Sequence, residues 1–240
     1  VWRTAYAWLV GVAYTVFWAS LGIVTWPLSP SGDLYLEYAR IWSGWILGSL
    51  GIPLAVVGRE RLDPDTTYVL MSNHQSVFDI FALFRGVDHP LRMVAKRGLF
   101  WIPVLGWSMW MCGFIPIDRS KRDSAIRSLD RAARRIRSGV SVLVFPEGTR
   151  SRDGTLHPFK KGGFMLALKA GVPVVPVVVL GTGAIMEKGS LRVGRADVEV
   201  RIGPPIAVEG RGPESRDRLM AEVRRAMIDL GATACEDAAA

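Results

Sequence analysis

Tyr68-Val69-Leu70-Met71-Ser72-Asn73-His74-Gln75-Ser76-Val77-Phe78-Asp79 is the stretch on which the fold turns. It opens with an apolar run of strand length. Ser76-Val77-Phe78-Asp79 then fits the Ser/Thr-x-x-Asp/Glu pattern that starts a helix. A strand passing through a short polar link into a helix is the repeating step of an α/β fold. The strand signal recurs downstream in Ser141-Val142-Leu143-Val144-Phe145, Val174-Val175-Pro176-Val177-Val178-Val179-Leu180 and Val198-Glu199-Val200-Arg201-Ile202. The continuous β-branched runs suit strands covered on both faces. Helical patterns alternate with them. Ile126, Leu129, Ala133 and Ile136 share one face, Arg127, Arg131, Arg134 and Arg135 surround it, and Gly139 is placed to end the helix. Met220, Val223, Met227 and Leu230 mark a last helix closed by Gly231. The expectation is an α/β fold with a mixed, largely buried sheet flanked by helices.

The front of the chain has another texture. Residues 4–28 carry no charge, and that run is long enough to cross a bilayer, which takes about 20 apolar residues. A second apolar stretch, residues 41–57, follows the polar link Ser29-Pro30-Ser31-Gly32-Asp33. Two apolar segments on a tight link predict an N-terminal hydrophobic two-helix membrane hairpin, either spanning or dipping into one leaflet. Trp8, Tyr14, Trp18 and Trp26 suit the bilayer interface. The run is longer than a signal-peptide core, and no small-residue cleavage pattern follows it, which disfavours a cleaved leader. The expected division is a membrane-anchoring hairpin over residues 1–58, an α/β domain over 59–231 and a flexible tail over 232–240.

A formal charge of +8 and a pI near 9.9 call for an anionic partner: nucleic acid, an acidic bilayer or a phosphorylated substrate. The two cysteines, Cys112 and Cys235, are far apart in sequence and offer neither metal-type spacing nor a disulfide framework. Free thiols in a reducing compartment are expected. With no Cys/His cluster, no metal is expected. The chain has no Gly-x-x-x-x-Gly-Lys-Ser/Thr, no Gly-x-Gly-x-x-Gly and no Gly-x-Ser-x-Gly, so nucleotide-loop and serine-hydrolase readings have no motif behind them.

Three histidines are present, and two of them, His89 and His157, each precede a proline in loop-like contexts. His74 instead follows a strand directly, where α/β folds place their ligands. On one continuous helix His74 and Asp79 would lie about 140° apart at 3.6 residues per turn. If the helix starts at Ser76, His74 precedes it and Asp79 falls in its first turn, so the two side chains can meet. A carboxylate on one ring nitrogen would then leave the other free as a base. The same spacing also fits a plain capping box, with Asp79 supporting a helix start and His74 in the turn.

Phe145-Pro146-Glu147-Gly148-Thr149-Arg150-Ser151 is a second constellation after a strand. Proline and glycine force a turn there and open its backbone N–H groups to a ligand. Arg150 has the fork to grip a phosphate, and Glu147 can hold that arginine or the histidine loop. An ordinary surface turn has the same composition. Lys96 and Arg119 each end an apolar run, and Lys160 lies in Phe159-Lys160-Lys161-Gly162-Gly163.

Taken in order, four blocks resemble the glycerolipid acyltransferase family, especially 1-acylglycerol-3-phosphate acyltransferases of the PlsC type. They are Asn73-His74-Gln75-Ser76-Val77-Phe78-Asp79, Gly113-Phe114-Ile115-Pro116-Ile117-Asp118-Arg119, Phe145-Pro146-Glu147-Gly148-Thr149-Arg150-Ser151 and Val172-Pro173-Val174-Val175-Pro176-Val177. The resemblance implies that His74 is the general base on a glycerol hydroxyl and that Asp79 orients it. It implies attack on an acyl thioester without an acyl-enzyme. It assigns the phosphate-bearing acceptor to Arg119, Glu147, Gly148, Thr149 and Arg150, with Lys96 and Lys160 as further phosphate or donor contacts. Backbone N–H groups near Gly148 are candidates for the oxyanion. The fourth block is structural or acyl-facing.

The implied acceptor is lysophosphatidate and the product phosphatidate. Acyl-CoA or acyl carrier protein brings the acyl group as co-substrate, with no cofactor. The expected partners are membrane lipids and an anionic bilayer surface, met by the basic face of residues 122–137, and not nucleic acid. The expected location is the inner membrane with the catalytic domain on the cytoplasmic side, in line with the Lys and Arg excess after the hairpin. Two other readings stand beside this one: the same chemistry on glycerol-3-phosphate, another lysophospholipid or an ornithine lipid, and a non-catalytic lipid-binding surface protein.

Overall fold

The computed structural model describes residues 2–117 and 122–235, the side chains of 122–126 excepted. Its strands are β1 (Leu54–Val57), β2 (Val69–Ser72), β3 (Leu91–Lys96), β4 (Ile115–Ile117), β5 (Ser141–Val144), β6 (Val174–Leu180) and β7 (Val198–Ile202). They form one sheet in the order β1-β7-β6-β2-β5-β3-β4. From β6 across to β4 every pairing is parallel, while β7 runs antiparallel to β6 and parallel to β1. The sheet is therefore mixed, as expected.

The helices are α1 (Trp2–Thr25), α2 (Asp33–Ser49), α3 (Phe78–Gly86), α4 (Leu105–Met111), α5 (Arg122–Arg137), α6 (Lys161–Ala170), α7 (Thr182–Ile185) and α8 (Arg216–Asp229). Strand alternation divides the core between the two faces of the sheet. Leu70, Leu143, Val175 and Val177 pack with residues of α2, α3 and α4. Val69, Met71, Val142, Val144, Val174 and Val178 pack with α5, α6 and α8. Both faces of the central strands are thus covered, which is why their sequences are apolar throughout rather than alternating.

The helix of the basic segment buries Ala132, Ala133 and Ile136, and Gly139 follows it at φ 94°. Ile126 lies outside the described side chains. In α8 the buried stripe is Leu219, Val223 and Met227. Met220 and Leu230 of the expected stripe are partly buried against the same core, and Leu219 joins it.

The N-terminal helices form a hairpin, but its two arms differ. Among the described residues, one helix, Trp2–Leu28 including its last turn, is long and apolar enough to cross a membrane. The second arm carries Asp33, Glu37 and Arg40 and buries Leu36, Ile46 and Leu47 in the core shared with α3. Part of the apolar character of residues 41–57 thus serves protein packing, while Ile41, Trp45 and Val57 stay exposed. Leu54–Val57 is itself a strand, paired with β7, so the sheet begins before residue 58. At the other end, Ala232 is buried, Leu156 N–H donates to the Thr233 carbonyl at 2.7 Å, and Leu156 bridges to Ala234. Residues 232–234 are therefore docked rather than free, and 236–240 lie outside the described residues.

Candidate active site

The parallel strands deliver their carboxyl ends to one edge, where open α/β sheets bind ligands. In sheet order, Thr182 follows β6, His74 follows β2, Glu147 follows β5 and Lys96 ends β3. Arg119, two residues after β4, lies outside the described residues.

Asn73 controls how the chain leaves β2. Its amide donates to the Val179 carbonyl at 2.9 Å and accepts from the Val179 N–H at 2.7 Å. The side chain thus takes over the strand pairing with β6 and lets the backbone of His74 turn away. That backbone is held from the other side. His74 N–H donates to Glu147 Oε1 at 2.9 Å, and the His74 carbonyl accepts from Ser151 N–H at 2.6 Å. The third sequence block is therefore bolted to the first.

His74 Nδ1 lies 2.7 Å from Asp79 Oδ2, as the strand–turn–helix reading requires. The same oxygen accepts the N–H groups of Gln75 and Ser76 at 2.7 and 2.9 Å. Asp79 Oδ1 accepts the Thr182 hydroxyl. Both Asp79 and Thr182 are fully buried, so every one of these contacts is needed to offset the cost of an ion away from water. A carboxylate accepts and cannot donate, so in this contact Nδ1 is the donor, and Nε2 is the ring nitrogen left clear of Asp79. The His74 ring stacks on Phe145, centroids 3.9 Å apart and planes 16° apart. The imidazole is thereby fixed at the carboxylate and along one face, while its side chain retains 16% exposure for a ligand.

The capping interpretation is half realised. Asp79 does reach back to Ser76 N–H, but Ser76 Oγ donates to the Met186 carbonyl at 2.7 Å instead of closing the box. One carboxylate therefore serves both the helix start and the imidazole.

Glu147 is 3% exposed and splits its oxygens between the N–H groups of His74 and His157, at 2.9 and 3.0 Å. Burial pushes its carboxyl up, and the two amides pull the other way. Its role is to hold the histidine loop, one of the two that its sequence position allowed. Gly148 adopts φ 71°, a left-handed turn position, and its N–H closes on the Phe145 carbonyl at 3.0 Å. Lys188 Nζ binds Thr149 Oγ1 at 2.9 Å and the Arg150 carbonyl at 2.7 Å. Among the described residues, the Arg150 guanidinium makes no ion pair. Lys160 is exposed at the start of α6, with its N–H on the Pro146 carbonyl, and lines a cavity of about 160 Å³ beside Phe145. Lys96 is exposed two strands from β2, and no hydrogen bond ties it to the His74–Asp79 pair.

Sequence reasoning missed Thr182 and Lys188. Thr182 had a signal: Gly181-Thr182-Gly183 follows a buried strand, where a lone hydroxyl between glycines is conspicuous. Lys188 had none, since only the fold brings it to Thr149. An apolar cavity of about 280 Å³ lies between the hairpin and α3, lined by Trp18, Trp42, Val77, Ile80, Phe81 and Met109 among others. Val77, Ile80 and Phe81 continue directly from the His74 loop.

Fold and site together define an α/β protein with a strand-end histidine–carboxylate pair beside an apolar cavity. The chain belongs to the Acyltransferase family, whose model matches residues 53–180. It is 46% identical over 153 residues to a chloroplastic 1-acyl-sn-glycerol-3-phosphate acyltransferase of Brassica napus, covering 63% of this chain and 44% of that one. It is 35% identical over 181 residues to the human 1-acyl-sn-glycerol-3-phosphate acyltransferase alpha, covering 75% of this chain and 64% of that one. The matches thus span about half to two thirds of the length of these curated relatives. The crystal structure of the 1-acyl-sn-glycerophosphate acyltransferase PlsC from Thermotoga maritima superposes with a TM-score of 0.81 at 28% identity, covering 98% of this chain and 97% of that one.

Proposed function

We propose that the protein is a membrane-bound 1-acylglycerol-3-phosphate O-acyltransferase, transferring an acyl chain from a thioester to the sn-2 hydroxyl of lysophosphatidate to give phosphatidate. The observation that carries this reading is the His74 ring, with Nδ1 tied to buried Asp79 and Nε2 left clear of it. The names of the relatives supply the substrate class.

In this reading His74 Nε2 takes the proton of the acceptor hydroxyl as its oxygen attacks the thioester carbonyl. The imidazolium is stabilised by Asp79, which remains a carboxylate. The tetrahedral oxyanion collapses, the C–S bond breaks, and the imidazolium returns its proton to the departing thiolate. Products are an ester and a free thiol. Because the Gly148 N–H is already bonded, the following amides of Thr149 and Arg150 are the donors of that turn proposed for the oxyanion. Arg150 binds the acceptor phosphate, joined by Arg119 and, from the exposed rim, by Lys96 and Lys160. The apolar cavity takes an acyl chain. The α1 helix holds the site at the membrane where such lipids reside, with the catalytic unit on the cytoplasmic side of the inner membrane, within reach of acyl-CoA or acyl carrier protein.

A panel of acceptors and donors with purified protein tests this. Lysophosphatidate is expected to outpace glycerol-3-phosphate, neutral lysophospholipids and an ornithine lipid, with either thioester carrier. Turnover confined to one of those other acceptors would reassign the substrate. Lipid binding without turnover on any of them would replace the enzyme with a binding protein.

A further inference from the structure

The turn at Arg97–Trp101 and the helix α4 carry more exposed apolar surface than their length warrants. Trp101, Trp107 and Trp110 are 78%, 56% and 58% exposed, and Leu99, Ile102 and Leu105 are exposed beside them. A contiguous patch of this kind on a soluble surface marks an interaction site. The segment is too short to cross a bilayer.

Its position says what covers it. The Tyr35 hydroxyl of α2 donates to Ser108 Oγ of α4 at 2.9 Å. Gly32, at φ 84° in the link between α1 and α2, is packed so closely against the Met111 carbonyl that a side chain would collide with it. Arg92 Nη2 binds the Ser31 carbonyl at 2.9 Å and Asp33 at 2.7 Å in the same link. The aromatic segment is thus rigidly fixed to the end of the hairpin whose first arm exposes Leu9, Val12, Val16, Phe17 and Val24.

Beside Trp101 and Trp110 lies a cavity of about 520 Å³, lined by these two, by Phe100 and Arg97 of the turn, and by Arg131 and Arg135 of α5. Arg135 also converges with Arg92 on Gly113, where a side chain would lie 2.9 Å from both guanidinium groups. Tryptophan settles at the bilayer interface, and guanidinium groups settle at the phosphate level just above it. The two occur here side by side on one face.

We propose that residues 97–111 are a second membrane element, distinct from the hairpin, whose tryptophans enter the same leaflet as α1 while Arg131 and Arg135 take the phosphate of an anionic phospholipid in the cavity beside them. This rests on the membrane reading given above and adds to it which surface of the α/β unit touches lipid, and which lipid charge it selects. It tilts the unit so that the β4 edge of the sheet faces the bilayer.

The test uses the full chain with Cys235→Ser; Cys112 is buried and stays unlabelled. An environment-sensitive fluorophore is placed on Trp107→Cys, and in separate proteins on Val16→Cys in α1 and on Ile228→Cys in α8, which packs on the opposite face of the sheet. Each is reconstituted in phosphatidylcholine vesicles with and without phosphatidylglycerol. The expected result is a blue shift and quenching by lipid-borne nitroxides at 107 as at 16, with 228 remaining aqueous. Label at 107 remaining aqueous while 16 is in lipid overturns the inference and spares the membrane reading. Both remaining aqueous overturns the two together. Trp101→Cys repeats the measurement should Trp107→Cys fold poorly. Insertion at 107 is expected to deepen with phosphatidylglycerol, and Arg131→Gln with Arg135→Gln is expected to abolish that dependence. An unchanged dependence overturns the role given to the arginine cavity.

Discussion

Asp79 Oδ2 lies 2.7 Å from His74 Nδ1 although the two residues belong to different pieces of structure, a turn after β2 and the first turn of α3. The contact exists because the chain changes direction between them. On an unbroken helix the same spacing would hold them apart. The carboxylate fixes the ring by charge and by direction at once, and these two effects separate on mutation.

Asp79→Asn keeps the shape and removes the charge. The loss of the anion opposite an imidazolium is expected to lower turnover by about 10²- to 10⁴-fold. Circular dichroism should stay native. A variant with near-normal turnover would show that Asp79 is only a helix cap.

Thr182 is the other support of that carboxylate. Thr182→Val removes the hydroxyl at nearly constant volume and leaves Oδ1 without this partner in a fully buried place. The expected cost is about 1–3 kcal/mol in stability, read from denaturant midpoints. Turnover should fall more than KM rises, because a loosened carboxylate misplaces the base rather than the substrate. Thr182→Ser should restore most of both; rescue of stability without rescue of turnover would remove Thr182 from the positioning role.

Glu147 gives a pH signature. Burial raises its carboxyl above the ordinary value of 4.5, so the native state holds this proton more tightly than the unfolded state. Between the ordinary and the raised value the native protein binds more protons, and stability contributed by this group therefore declines as pH rises through that window. Below the window both states are protonated, and above it the penalty is complete. Glu147→Gln should flatten this decline while lowering overall stability, since its amide keeps one acceptor for the two N–H groups of His74 and His157 and sets an NH2 against the other. Urea midpoints of the two proteins across mildly acidic pH measure the difference. Midpoints of wild type and variant that run parallel through the window would contradict the assignment.

The central strands β2, β5 and β6 were legible in the sequence because burial on both faces leaves continuous apolar runs, as in Val174–Leu180; β3 was not, because Arg92 and Lys96 interrupt its run. The short edge strands β1 and β4 were not, because three or four residues carry no period. Leu54–Val57 in addition abuts an apolar helix and takes on its character. The hairpin was half legible: apolarity marked both arms but does not say whether lipid or α3 covers the second. His74, Asp79 and Glu147 could be read because each immediately follows a strand or opens a helix. Thr182 and Lys188 reach the site through the return of β6 and the loop after α7, contacts of 103 and 39 residues in separation that no local pattern encodes.

The most direct measurement is ester formation itself. Wild-type protein and His74→Ala, both verified as folded, are given lysophosphatidate and an acyl thioester, and phosphatidate is followed by mass spectrometry alongside release of the free thiol. Phosphatidate and thiol are expected to appear in equal amounts with the wild type and to fall by several orders of magnitude with His74→Ala. Undiminished phosphatidate from His74→Ala would contradict the histidine as the base on which the whole account rests.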